Sequence, residues 1–142
     1  MLPLSNGAHE SGDTLHTVLW TGKVPEAGAY YVRSSDDGKT WESELPIGGL
    51  AVHCDIAGGD DGPLLMAWDS RKDGRGIVLT AVSNDGGSTW SEGELISSSE
   101  ESAEYPATIR LPDGFLVLWL ARKDERKFLR SSRYLDEELV RG

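Results

Sequence analysis

The sequence predicts an all-β fold in which one unit of about fifty residues occurs about three times. Trp20, Trp68 and Trp119 each end an apolar run, and they lie 48 and 51 residues apart. Trp41 and Trp90 each end an eight-residue motif, and these two motifs lie 49 residues apart. A period of this size is typical of solenoids and propellers, in which each repeat is one supersecondary unit.

Each unit divides into four short strand segments bounded by Gly, Asp and Pro, and no segment shows sustained helical periodicity. The first unit predicts strands at 2–4, 15–20, 29–34 and 41–46, with a hairpin loop over 6–13. The second predicts strands at 50–57, 63–69, 77–82 and 90–96, with a loop over 70–76. The third predicts strands at 105–111, 115–121 and 127–131, a loop over 122–126, a shortened hairpin at 131–134 and a weak fourth strand at 135–140.

Four antiparallel strands per repeat make a propeller blade. We therefore predict one partial β-propeller domain over residues 1–142, with about three blades at approximately 1–47, 48–98 and 99–142. The last blade is degenerate because it lacks the eight-residue motif.

Composition excludes several classes of partner and cofactor. The formal net charge of −10 and the pI near 4.6 argue against nucleic acid and anionic membrane as partners. Cys54 is the single cysteine, so no internal disulfide can form, and the three histidines are isolated from one another. We expect no metal and no cofactor. The N-terminus lacks a signal-peptide pattern, and no apolar run is long enough to span a bilayer, so the compartment stays undetermined.

The eight-residue motif is predicted to be structural. It matches the Asp box, or BNR repeat, of sialidases and other propeller families at all five defining positions. An Asp carboxylate can accept backbone N–H groups of its own turn, Gly supplies a positive φ, and Thr can tie the returning strand. The indole is expected to pack into the blade. Calcium binding is the alternative, but too few acidic ligands occur at the required spacing. The residues are Ser34, Asp36, Gly38, Thr40 and Trp41 in the first copy, and Ser83, Asp85, Gly87, Thr89 and Trp90 in the second.

Strand parity predicts which face carries function. The motif turn joins strands three and four, so the loops between strands two and three lie on the opposite face, together with the starts of the first strands. Loops on a rigid scaffold commonly carry binding groups. The candidates on that face are Asp69, Ser70, Arg71, Asp73, Arg122, Asp124 and Glu125, with His53, Asp55, Glu104 and Tyr105 at the strand starts.

The second unit resembles the sialidase (neuraminidase) family of six-bladed propellers. Asp69-Ser70-Arg71 matches an Asp-x-Arg element that follows a blade's second strand in that family, and an Asp box comes after it. The resemblance implies half of a six-bladed propeller, in which Arg71 contacts the substrate. It also implies that Asp73 protonates the leaving glycosidic oxygen of a terminal sialic acid or related sugar.

The chain departs from the sialidase pattern in its first strands. The family's Arg-Ile-Pro arginine is replaced by Glu104-Tyr105-Pro106 in one unit and by Val52-His53-Cys54 in another. A carboxylate at Glu104 would repel a carboxylate ligand, and no nucleophile can be assigned.

The candidate residues also have structural explanations that involve no ligand. Arg122-Lys123-Asp124 repeats the Arg71-Lys72-Asp73 pattern one unit later, which favours an inherited loop ion pair of little energetic value. His53 fits a partly buried histidine satisfied by its neighbours as well as a general base.

Three functions remain open. The chain is a non-catalytic module that binds glycan or protein through its loop face, part of a sialidase-like exo-glycosidase, or a purely structural propeller segment. Three blades would leave two apolar flanks open. We therefore expect a homodimer, or further blades, to complete a six-bladed ring.

Overall fold

The computed structural model describes residues 7–11, 14–23, 27–48, 50–58 and 62–141, which form eleven strands and one short helix. The strands make three antiparallel sheets, here called blades. Blade 1 contains β1 (Gly7–Ser11), β2 (Thr14–Thr21), β3 (Gly28–Ser34) and β4 (Leu45–Gly48). Blade 2 contains β5 (Cys54–Gly58), β6 (Leu64–Lys72), β7 (Arg75–Ser83) and β8 (Glu94–Leu95). Blade 3 contains β9 (Ser102–Leu111), β10 (Gly114–Lys123) and β11 (Arg126–Leu135), followed by α1 (Asp136–Arg141).

The all-β partial propeller predicted from the repeat is confirmed. In every blade the strands pair in chain order, so each connection is a hairpin or a short loop. The first strand β5 of blade 2 contacts β1 on one side and β9 on the other. The first strands therefore lie together at the inner end of the blades, where a propeller has its axis.

The hairpins between the second and third strands are tighter than predicted. The expected loops over 70–76 and 122–126 are wrong, because β6 and β7 continue to a two-residue turn at Asp73-Gly74, and β10 and β11 to one at Asp124-Glu125. All four turn residues have positive φ, between 51° and 76°. Two-residue turns with positive φ match the natural twist of paired strands, which allows the ladder to extend.

The first strand of blade 1 also differs from the prediction. The strand expected at 2–4 lies outside the described residues, and β1 instead occupies Gly7–Ser11, inside the expected loop. Gly7 pairs with Val18 and Ser11 pairs with Thr14. This short hairpin gives backbone groups of both strands ladder partners, which a long open loop would have left to water.

Blade 3 ends in a helix where a weak fourth strand was expected over 135–140. Residues 131–134, expected as a shortened hairpin, continue β11. Three acidic residues lie in the first turn of α1, where the positive end of the helix dipole stabilises their negative charges. The Asp136 carboxylate accepts hydrogen bonds from two guanidinium nitrogens of Arg110, at 2.5 and 2.7 Å. Asp136 and Leu139 are partly buried and lie three positions apart, while Glu137, Glu138 and Val140 are exposed. This spacing is that of a helix and not the alternation of a strand.

Trp20 is not the structural counterpart of Trp68 and Trp119. Leu15, Leu64 and Phe115 occupy equivalent positions, opposite Ser34, Ser83 and Tyr134. Trp68 and Trp119 lie four residues after Leu64 and Phe115, whereas Trp20 lies five residues after Leu15. A shift of one residue moves a side chain to the other face of a strand. Trp20 and Trp68 therefore enter the same apolar layer from opposite blades.

Two apolar layers hold the three blades together. The layer between blades 1 and 2 contains Val18, Tyr31, Met66 and Trp68. The layer between blades 2 and 3 is made by Leu65, Ala67 and Val78 from blade 2, with Phe115, Val117 and Trp119 from blade 3. Blade 2 is thus buried on both faces, and burial of this apolar area is the main driving force for the fold.

Both eight-residue motifs form the same hydrogen-bonded turn. In the second copy, Asp85 Oδ1 accepts the Ser83 hydroxyl at 2.7 Å and the Thr89 N–H at 2.8 Å, and its Oδ2 accepts the Thr89 hydroxyl at 2.5 Å. Ser83 Oγ accepts the Gly87 N–H at 2.9 Å. The Thr89 hydrogen bonds, foremost among these, lower the pKa of Asp85 to about 2. In the first copy, the equivalent bonds join Ser34, Asp36, Gly38 and Thr40.

The two motif tryptophans have different surroundings. Trp90 packs edge-to-face on Tyr31 of blade 1, with ring centroids 5.1 Å apart. Trp41 is 47% exposed, so the expectation that both indoles pack into the protein is wrong for Trp41. The reason is positional: the motif turn of blade 2 packs against the third strand of blade 1, whereas the described residues include no blade on the other side of blade 1.

Gly87 allows the motif turn of blade 2 to reach blade 1, and its replacement should weaken that contact. A Cβ at Gly87 would collide with the Tyr31 hydroxyl, and its φ of 93° strains any other residue. We expect Gly87→Ala to lower the free energy of unfolding by about 1–3 kcal/mol more than Gly86→Ala, measured by urea titration. Gly86 is the matched control, because its φ is also positive but a Cβ there meets nothing within 4 Å. Equal losses in the two variants would contradict the blade contact.

Candidate functional site

The candidate site is a small cavity of about 80 Å³ where blades 2 and 3 meet, near the starts of their first strands. It is lined by Val52, His53, Asp69, Ser70, Arg71, Gly76, Ala103 and Glu104. His53 and Asp69, which the sequence assigns to different strands, are brought together here with Arg71 of the predicted loop. The cavity lies on the face opposite the motif turns, since the Asp73-Gly74 hairpin is on its side of blade 2.

Asp69 is the centre of the site. The residue is 4% exposed, and its carboxylate accepts three hydrogen bonds. Oδ1 accepts the His53 N–H at 3.0 Å, while Oδ2 lies 2.7 Å from His53 Nδ1 and accepts the Tyr105 N–H at 2.8 Å. Because a carboxylate oxygen accepts hydrogen bonds, Nδ1 of His53 carries the hydrogen. Asp69 therefore joins blade 2 to blade 3 and fixes the orientation of the imidazole.

Tyr105 reaches Asp69 through an irregularity in β9. The pairing of β9 with β10 shifts between Leu118 and Leu120, which leaves Tyr105 and Pro106 opposite Trp119. Such a bulge bends the strand and redirects side chains, often beside functional sites. Tyr105 has a φ of 59°, which is uncommon for a residue with a bulky side chain. This conformation turns its N–H toward Asp69 and leaves Tyr105 as a whole 52% exposed.

His53 and Tyr105 form an aromatic pair at the mouth of the cavity. Their ring centroids are 4.2 Å apart, with an angle of 42° between the ring planes. The His53 side chain is one-quarter exposed. The two rings come from adjacent blades, so the pair exists only when those blades are packed together.

Two arginines and a glutamate complete the polar surroundings. Arg122 Nη2 lies 2.9 Å from Glu104 Oε1, and Glu104 is the more buried partner of this ion pair. Arg71 is exposed, and its guanidinium donates to the Gly74 carbonyl at 3.3 Å. Asp73 and Asp124 do not line the cavity; they are exposed at the tips of their hairpins.

The pairing of His53 with Asp69 is specific to blade 2. The register places Leu120 of blade 3 and Trp20 of blade 1 at the position of Asp69. Although Arg122-Lys123-Asp124 repeats the hairpin sequence, blade 3 carries no carboxylate at this position. The repeat alone therefore does not account for the buried Asp69.

Sequence analysis noted Glu104 as a repulsive carboxylate but missed its ion pair with Arg122, and it missed Gly76 entirely. A Cβ at Gly76 would collide with the Ala103 carbonyl, and its N–H donates to Ser102 Oγ at 3.0 Å. The signal available was weak: a glycine inside a β-rich run marks close backbone approach.

Asp55 and Cys54 lie next to the site on the inner strand β5. Asp55 Oδ2 accepts the backbone N–H and the hydroxyl of Thr108, at 2.8 and 3.0 Å, and so joins β5 to β9. Cys54 is buried, and this burial raises the pKa of its thiol to about 12. The thiol stays protonated at neutral pH, which makes Cys54 a poor nucleophile.

Among the described residues, no group of three or more His, Cys, Asp or Glu side chains could hold a metal ion. Within that same part of the chain, no helix is long and apolar enough to cross a membrane.

The chain matches no protein-family model and no curated protein. Solved structures nevertheless share its fold. Bacteroides ovatus Xyloglucan PUL GH43B is 15% identical with a TM-score of 0.61, over 89% of this chain and 26% of that one. Exo-beta-1,3-galactanase from Phanerochaete chrysosporium, crystallised with beta-1,3-galactotriose, is 13% identical with a TM-score of 0.66, over 94% of this chain and 35% of that one. A candidate exo-beta-1,3-galactanase from Bifidobacterium bifidum s17 is 13% identical with a TM-score of 0.66, over 95% of this chain and 49% of that one.

These likenesses show a β-propeller fold. The chain spans about a quarter to a half of the length of these structures. They are glycoside hydrolases of family 43, which are five-bladed propellers. The comparisons therefore support the propeller but not the sialidase-like identity, and the six-bladed ring stays a prediction.

Removal of the Asp69 carboxylate should destabilise the packing of blade 2 on blade 3. Asp69→Ala leaves two backbone N–H donors and an imidazole without their acceptor, and we expect a loss of about 3 kcal/mol or more in the free energy of unfolding. Asp73→Asn is the control, expected to change stability by less than about 0.5 kcal/mol because Asp73 is exposed and Asn tolerates its positive φ. Urea titration followed by tryptophan fluorescence measures both variants. A loss below about 1 kcal/mol for Asp69→Ala would contradict the role given to Asp69.

Proposed function

We propose that this chain is a carbohydrate-binding propeller module that holds a sugar ring at the cavity between blades 2 and 3. The observation that carries the proposal is the exposed Tyr105 ring, paired with His53 beside a buried polar network centred on Asp69. Aromatic surface next to a few fixed polar groups is the usual composition of a small-molecule site.

The aromatic pair supports binding of a sugar through its apolar face. One face of a pyranose ring presents C–H groups, which pack against aromatic rings and bury apolar area. The Tyr105 side chain is available for this contact, because the residue is half exposed. The backbone of Tyr105 is held by Asp69, so little conformational freedom would be lost on binding.

The polar groups support recognition of hydroxyl groups. The Nε2 atom of His53 is the ring nitrogen that Asp69 does not use. Arg71 can donate hydrogen bonds, and Glu104 can accept them beside its ion pair with Arg122. Sugar hydroxyls both donate and accept, so a site with both kinds of group suits them.

The charges favour an uncharged sugar over a sialate. Asp69 and Glu104 both line the cavity, and Arg122 is already paired with Glu104. A ligand carboxylate would meet these acidic groups and a chain of net charge −10. The fold likeness to proteins described as exo-beta-1,3-galactanases adds support for a neutral glycan.

A second candidate function is hydrolysis of a glycosidic bond. It is favoured by the two carboxyl groups, Asp69 and Glu104, that line one cavity, because glycosidases use a pair of carboxyl groups as acid and base or nucleophile. In this version Glu104 takes the role that the sialidase resemblance gives to Asp73.

Binding is tested by titration calorimetry with beta-1,3-galactotriose, xyloglucan oligosaccharides and sialyllactose. We expect a neutral oligosaccharide to bind, Tyr105→Phe to retain binding, and Tyr105→Ala to weaken it about tenfold, equivalent to 1.4 kcal/mol. Trp41→Ala is the control, since Trp41 is a half-exposed aromatic residue on the face that carries the motif turns, opposite the cavity. Retained binding in Tyr105→Ala would contradict the site, and absence of binding to all three probes would favour a purely structural module.

Fluorogenic galactoside, xyloside and sialoside substrates in the same series test the second candidate. Turnover lost in Glu104→Gln but kept in Asp73→Asn would support hydrolysis at the cavity. The reverse result with the sialoside would restore the sialidase assignment, and no turnover in the wild type would leave binding alone.

A further inference from the structure

The contact between blades 1 and 2 is made by two complementary parts. One part is the third strand of the preceding blade, which presents Tyr31 and Arg33. The other is the motif turn of the following blade, which presents Gly86, Gly87 and Trp90. Trp90 packs on Tyr31, and Arg33 donates to the Gly86 carbonyl at 2.8 Å.

The motif turn occurs again on blade 1, and the arginine of the third strand occurs again on blade 3; among the described residues neither has its counterpart beside it. Blade 1 carries the other motif turn, whose Trp41 is half exposed where Trp90 is partly buried against blade 1. Blade 3 carries Arg133, which the register places at the position of Arg33. Arg133 pairs with an exposed aspartate, Asp113, at 3.1 Å. Such an exposed ion pair costs little to exchange for another partner.

The outer face of blade 3 is apolar where the equivalent face of blade 2 is buried. Leu116, Leu118 and Leu120 lie at the positions of Leu65, Ala67 and Asp69, and Leu129 lies at the position of Val78. Leu65, Ala67 and Val78 are fully buried under blade 3, whereas Leu129 is 74% exposed. Ile109, opposite Leu116 on β9, is 41% exposed on the same face. A contiguous exposed apolar face of this kind marks an interaction site.

We infer that a second copy of this chain packs its blade 1 on the outer face of blade 3, head to tail. Trp41 of the second copy would cover the leucine face near Ser131, the counterpart of Tyr31, and Arg133 would donate to the backbone carbonyl of Asp37, the counterpart of Gly86. The occupant is a second copy because this chain carries the missing motif turn.

Charge complementarity supports the same pairing. The outer face of blade 3 is flanked by Lys127 and Arg133, both exposed. The free edge of blade 1 carries Asp37 and Glu44, also exposed. Opposite charges at the rim favour association in this orientation and disfavour two copies of blade 3 facing each other.

Head-to-tail contacts either close into a ring or continue as a chain of copies. If neighbouring blades are rotated as in a six-bladed propeller, two copies would close a ring, giving a species of twice the 15.4 kDa mass. If they are rotated as in a five-bladed propeller, two copies cannot close a ring, and larger species would form.

Sedimentation velocity over a wide concentration range tests the contact with the full 142-residue chain. We expect the wild type to associate, with a closed dimer or larger species both supporting the contact. Leu129→Glu and Trp41→Glu should each weaken association at least tenfold. Leu95→Glu is the matched control, because Leu95 is 45% exposed on the last strand of blade 2, away from both surfaces.

Mixing the two variants separates this contact from a symmetric one. The Trp41→Glu copy keeps an intact blade 3 face, and the Leu129→Glu copy keeps an intact blade 1 face, so an equimolar mixture should form a heterodimer. A wild type that remains monomeric, an equal effect of Leu95→Glu, or a mixture that stays monomeric while circular dichroism shows folded variants would each overturn the inference. Because the contact uses other residues than the sugar cavity, a failure here leaves the proposed function standing.

Discussion

The buried carboxylate of Asp69 is the interaction on which the arrangement of the site depends. A buried carboxylate is costly unless its oxygens are hydrogen-bonded. Asp69 meets this requirement with donors from two different blades, the backbone and ring of His53 and the backbone of Tyr105. The same three bonds hold blade 3 against blade 2, orient an imidazole and present a tyrosine ring. Structural support and ligand recognition thus share one side chain.

The fold could be predicted from the sequence because its signals are local and repeated. Apolar runs ending at Trp68 and Trp119 mark equivalent strands, and each lies in the apolar layer toward the preceding blade. The limits of the prediction come from registers that composition does not reveal. Trp20 differs from Trp68 by one residue in register, which reverses the face it occupies. The charged residues around Asp73-Gly74 and Asp124-Glu125 predict loops, but the strands continue through them to a two-residue turn. Strands near a tight turn tolerate charged side chains.

The candidate site was predicted only in part, for a physical reason. Residues such as His53, Asp69 and Arg71 belong to the correct face by strand parity, and the structure does bring them together. Strand parity does not predict the bulge at Tyr105, because the bulge follows from the pairing of β9 with β10. This bulge turns a backbone N–H toward Asp69. The catalytic role suggested for Asp73 rested on a family resemblance, and the structure places that residue at an exposed hairpin tip.

The state of the His53 ring tests the central role of Asp69 most directly. Nitrogen-15 NMR of the neutral imidazole distinguishes its two tautomers. The account predicts the form with hydrogen on Nδ1, carrying a proton that exchanges slowly because it is bonded to the Asp69 carboxylate. A ring with hydrogen on Nε2, or one that averages freely between both forms, would contradict it.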